Sequence, residues 1–165
     1  MAKFNFGPNA NKSVVSGHSI EVITDILADA GLDGCVITST SRTPADQARV
    51  MFNNIVKHGA AKQKELYAAA GDKVIDVYIV QKKAGKNADQ IKSAMEKEIL
   101  KIGPGKVSRH CADPAVLNVI DIAPSSISKK QLFENAVEVA VSNGKVSHFI
   151  TPPTDPAYHL EIPQL

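Results

Sequence analysis

Two imidazoles and one carboxylate stand where they could hold a divalent cation: His110 on a turn-like run, Asp121 inside an apolar run, and His159 in the closing YHLEI. Asp121 lies among Val116, Leu117, Val119, Ile120 and Ile122, a β-rich setting that predicts burial. A carboxylate taken out of water without a partner costs several kcal/mol, so a cation or a set of N–H donors is expected beside it. Zinc would serve. Two His and one Asp are a common protein set for a catalytic zinc whose fourth position is left to water. Arg109, Lys106 or backbone N–H groups would serve as well, and Cys111 beside His110 could compete for the metal.

The elements that must position these groups can be read from periodicity and caps. In the last run Ala157, His159 and Glu161 alternate with Tyr158, Leu160 and Ile162, so a strand puts His159 and Glu161 on one face and turns the apolar set to the core. AVLNVIDIAP reads as a strand carrying Asp121, with His110 in the loop before it, and KVSHFIT reads as a further short strand. GCVITSTSR is a β-branched strand whose end delivers Ser39 and Arg42 to a loop. A helix follows at once, with Thr43 as N-cap, Pro44 at the first helical position, Asp46 three beyond the cap and Gly59 at the end.

Upstream of these, a polar lead containing Pro and Asn precedes an amphipathic helix with Ile20, Ile23, Ile26, Leu27 and Ala30 at helical spacing, stopped by Gly31. NADQIKSAMEKEILKIGPG predicts a helix capped by Asn87 with Ile91, Ala94, Met95 and Ile99 as its stripe, ended at Gly103-Pro104-Gly105. SKKQLFENAVEVAVSNG predicts another, with a Ser128…Gln131 capping box and Gly144 as terminator. KQKELYAAAG reads as helical, whereas DKVIDVYIVQ fits a helix or a buried strand equally. Helices gather early and strands late, with no repeats. The expectation is an α+β fold, a small and largely antiparallel sheet with helices packed around it, as a single domain over residues 1–165.

Composition bounds the rest. With 44% hydrophobic and 22% charged residues among 165, the chain can bury a core without disulfide or metal staples. The formal charge of +2 is dispersed, and the only mild basic runs are Lys82, Lys83, Lys86 and Lys129, Lys130, which argues against a nucleic-acid binder. Cys35 and Cys111 make no disulfide framework, and both are expected to be reduced. The N-terminal stretch lacks the apolar core of a signal peptide and no later segment approaches a membrane span, so cytoplasmic synthesis without membrane insertion is expected. A monomer is expected. A target outside the membrane would then require delivery, by a holin or an injection system.

Three short motifs carry a resemblance. Ser39-Thr40-Ser41-Arg42, followed by a helix opening TPADQA, is similar to the S-x-x-R element of the zinc D-Ala-D-Ala carboxypeptidase and peptidoglycan L,D-endopeptidase family, whose fold is shared with the Hedgehog signalling domain. Ser108-Arg109-His110 running to VIDIAP resembles that family's S-x-H…A-x-D-I, and YHLEI resembles its terminal W-H-x-E strand. Order and setting agree over roughly residues 30–162.

The resemblance implies a Hedgehog/DD-peptidase-like fold and His110, Asp121 and His159 as zinc ligands. It implies that Arg42 holds a substrate carboxylate or carbonyl oxygen and stabilises the developing oxyanion, work suited to a guanidinium. Ser39 and Ser108 would support the shape of the site. The substrate would be a peptidoglycan stem peptide, cleaved by a phage-type lysin or a delivered wall hydrolase. Two departures stand out. Residues 111–120 lengthen the His-to-Asp spacing and bring in Asp113 as a rival ligand, although the family's Asp lies in a strand that IDI matches. The position three before the last His, where the family has Glu or Asp as general base, is Pro156, which leaves Asp155 as first candidate and Glu161 as second. The alternatives are a non-catalytic member of the same fold that binds zinc or a ligand, and a metal-free phage or cytoplasmic structural protein. His18, His58 and His148 read as structural or exposed.

Overall fold

A computed structural model describes residues 2–165. The chain runs β1 (Lys3–Asn9), α1 (Gly17–Asp29), β2 (Gly34–Ser39), α2 (Pro44–His58), α3 (Ala60–Lys64), α4 (Ala69–Lys83), α5 (Ala88–Ile102), α6 (Pro104–Val107), β3 (Leu117–Ile122), α7 (Lys130–Ser142), β4 (His148–Ile150) and β5 (Tyr158–Pro163). It forms two compact units, residues 2–41 with 112–165, and residues 42–111. The expected α+β class and the largely antiparallel sheet with helices around it are what the structure has.

The first unit holds a five-stranded sheet in the order β1-β2-β3-β5-β4. β1 and β2 are parallel, and the other three pairings are antiparallel. α1 and α7 pack together over one face, where Ile23, Leu27, Phe133 and Val137 meet Ile37, Ile120, Ile122, Tyr158, Leu160 and Ile162 in one cluster. Burying each such side chain fully is worth about 1.5–3 kcal/mol, so this face fixes which way every strand turns. α1 is capped by Ser16, whose side chain accepts the Ser19 N–H, and it ends at Gly31 with φ +63°, a left-handed residue that glycine adopts without a Cβ clash. The Lys129 ammonium closes that end by donating to the Gly31 carbonyl at 2.7 Å. Gly34 opens β2 because any Cβ there would run into the Lys3 carbonyl oxygen of β1.

β1 is a strand where composition predicts only a polar lead. Its burial alternates through Phe4 and Phe6, and its edge place in the sheet tolerates Pro8, which has no N–H to give a neighbour. The Ser128…Gln131 capping box is absent: α7 starts at Lys130, and its cap residue Lys129 makes no side-chain capping bond.

The second unit is helical. Ala48, Met51 and Ile55 of α2, Val74 and Ile75 of α4, and Ile91, Met95 and Ile99 of α5 form its core. The undecided DKVIDVYIVQ is helix, since Val74 and Ile75 are buried while Ile79 and Val80 face outward, a spacing a strand of this run could not give. Thr43 and Asn87 cap α2 and α5 as expected, Asn87 in a complete capping box with Gln90.

Candidate metal centre

Three strands bring one row of polar residues into register. Ser39 at the end of β2 stands opposite Asp121 of β3, and Asp121 stands opposite His159 of β5. Directly opposed residues share a face of the sheet, so Ser39, Asp121 and His159 look away from the Leu160 and Tyr158 side that makes the core. That outer face is not wet at this row. Ser39, His159 and Glu161 are buried, and the Asp121 side chain is 13% exposed.

The cation that Asp121 calls for is met first by His159, whose Nδ1 is 2.9 Å from Asp121 Oδ1. The other ring nitrogen, Nε2, is 3.5 Å from Glu161 Oε1. Burial disfavours the charged ring, but the Asp121 hydrogen bond and charge, the Glu161 hydrogen bond and the charge of Asp155 outweigh it, and His159 holds its proton above its usual pKa. His110 lies in a short turn, Arg109–Cys111, and is buried. His110, Asp121 and His159 each offer one ligand atom, and these atoms all lie within 4.8 Å of one another. Tetrahedral zinc at about 2.0–2.2 Å from each donor spaces donors by about 3.4 Å, so a nitrogen and oxygen set within 4.8 Å is of the kind and size that could hold such an ion. The set is the one the sequence singled out.

The other expected residues fall in distinct settings. Asp113, the rival ligand, is exposed in a turn, and its Oδ1 accepts the Ala115 N–H at 2.9 Å. Lys106 and Arg109 are exposed. Burial pushes the Cys111 thiol up to about 11, with Arg42 pulling against it and Asp46 adding to it, so it is not a ready thiolate. Asp155 is half-buried in the loop before β5, where its Oδ1 accepts the Ala157 N–H at 2.9 Å. Glu161 is 3% exposed, next along β5 on the His159 face. His148 and His58 are exposed and His18 is half-buried at the start of α1.

Arg42 is half-buried just before α2. Its backbone N–H donates to the His110 carbonyl at 2.6 Å, and its Nη1 donates to Gln47 Oε1 at 3.0 Å. Gln47, fully buried, passes the chain on by donating from Nε2 to the Tyr67 hydroxyl at 3.2 Å. Burial raises the Tyr67 pKa against the opposing Arg42 charge and Gln47 bond, which keeps this hydroxyl neutral. Sequence reasoning missed Gln47 and Tyr67. The signal for Gln47 was there, a polar residue four before Met51 on the inward stripe of α2.

No protein-family model, curated protein or solved structure matches the chain. No helix among the described residues is long and apolar enough to cross a membrane.

Proposed function

We propose that the protein is a zinc-dependent peptidase that hydrolyses peptide bonds in peptidoglycan stem peptides, of the phage-lysin or delivered wall-hydrolase type. The observation that supports this reading is the gathering of His110, Asp121 and His159 within 4.8 Å, since these residues occupy the ligand positions of the motifs the chain resembles. When bound, zinc supplies Lewis-acid polarisation of the scissile carbonyl and a water acidic enough to attack near neutral pH.

The chain's own residues do the rest. Arg42, steadied by Gln47, binds a substrate carboxylate or the developing oxyanion; a guanidinium has five N–H donors in a plane, enough to serve a glutamine and a carboxylate together. Asp155 takes the proton of the attacking water and passes it to the leaving amine. Pro156 at the family's usual base position favours one other reading, a non-catalytic relative that keeps the metal and binds its ligand without cutting it.

Purified peptidoglycan of several chemotypes, incubated with zinc-loaded protein, tests the reading. New amino groups should appear, cease with a chelator and return with added zinc. Zinc-loaded protein that releases none from any chemotype overturns the peptidase reading.

A further inference from the structure

Glu161 has a place that base catalysis does not explain. It sits on β5 two residues beyond His159, on the same face, and its side chain is 4% exposed. Across the ladder its neighbours are Val119, which has no polar side-chain atom, and His148, which is exposed. Its main chain is pinned, the carbonyl accepting the Ser147 N–H at 2.8 Å and the Ser147 hydroxyl at 3.2 Å. The carboxylate is thereby held at His159 Nε2, at 3.5 Å, while Nδ1 of the same ring faces Asp121 at 2.9 Å.

We propose that Glu161 is a positioning residue that accepts the Nε2–H of His159, fixing the ring so that Nδ1 is the nitrogen offered, beside Asp121, to a divalent cation. The inference rests on the metal reading above and adds to it the tautomer and the residue that sets it. A metal-bound imidazole uses the lone pair of one nitrogen and carries its proton on the other. A carboxylate on that second nitrogen orients the ring and raises its basicity, and loss of such a partner weakens metal affinity about 10- to 100-fold. The shorter contact, Nδ1–H to Asp121 at 2.9 Å, is the one a cation taken at Nδ1 replaces, which leaves the ring's proton on Nε2, 3.5 Å from Glu161. A group that moves the reacting proton has to exchange it with water or substrate, whereas Glu161 is closed off on a strand between two neighbours.

The test is zinc titration of the apo-protein against a competing chromophoric chelator, for wild type, Glu161→Gln and Glu161→Leu. Gln keeps an oxygen that accepts from Nε2–H, so its affinity should stay within a few-fold of wild type. Leu should weaken zinc about 10- to 100-fold. Nitrogen-15 spectra of the zinc-loaded wild type should show His159 protonated at Nε2, a readout that holds even if the Leu variant fails to fold. Equal affinity in all three proteins, or His159 protonated at Nδ1 in the zinc form, overturns the proposal. So does Glu161→Gln that binds zinc fully but has lost the wild-type hydrolysis, because Glu161 is then the base. Wild type that binds no zinc removes the proposal together with the metal centre; zinc binding that follows the expected order without peptidoglycan cleavage overturns the peptidase reading alone.

Discussion

Asp121 and His159 face each other as a directly opposed pair in the β3–β5 ladder, with Asp121 Oδ1 2.9 Å from His159 Nδ1. The pair answers the problem posed by an acidic residue in an apolar strand, since the strand next to it supplies the partner. It also makes Asp121, held by a ladder on both sides, a better-fixed candidate ligand than a loop acid. Asp121→Ala should therefore lose bound metal, and Asp113→Ala, whose carboxylate only closes a turn on Ala115, should keep it at a stability cost of about 1 kcal/mol or less. Metal content of the two purified variants decides this. Retention by Asp121→Ala with loss in Asp113→Ala would move the centre into the preceding loop.

Arg42 and Gln47 should fail in different ways. Arg42→Ala should lower kcat/KM about 100- to 1,000-fold, the range for losing one donor to a developing oxyanion, with zinc content unchanged. Gln47→Leu fills the same buried space but strips partners from Arg42 and Tyr67, so it should cost about 1–3 kcal/mol of stability, read as a fall in the urea midpoint. Hydrolysis by Arg42→Ala at the wild-type rate would remove Arg42 from the reaction.

Asp155→Asn should keep the fold and zinc while losing about 100- to 10,000-fold in hydrolysis, the usual worth of a general base. The amide oxygen can still accept the Ala157 N–H, so the loop should hold its shape. Urea midpoint, metal content and rate of amine release separate these effects. Full activity in Asp155→Asn would exclude it as the base.

The parts of the site legible in the sequence were those set by local periodicity. The alternation of Tyr158, Leu160 and Ile162 with His159 and Glu161 fixed the two faces of β5, and the cap Thr43-Pro44 fixed where α2 starts behind Arg42. That Asp121 needs a partner was legible from an acid in an apolar strand-like run, whereas its preference over Asp113 came from the resemblance of IDI to the family's strand. What local pattern could not give was the state of the polar face, for alternation says that His159 opposes the core, not that it is buried. β1 escaped because Gly7, Pro8 and two Asn outweigh Phe4 and Phe6 in its composition, and edge pairing rescued what propensity disfavours. The run Val74–Val80 was ambiguous for the opposite reason: its β-branched residues suit either element, and packing against α5 chose the helix.

The most direct test of the central claim is the zinc content of purified protein, measured by elemental analysis per mole of chain, for wild type, His110→Ala, His159→Ala and His148→Ala. His148 lies on the neighbouring strand and is exposed, so its loss controls for general damage to the sheet. The account predicts about one zinc per chain in wild type and in His148→Ala, and none in the other two. Full zinc in both His110→Ala and His159→Ala, or no zinc in wild type after purification with the metal present, would contradict it.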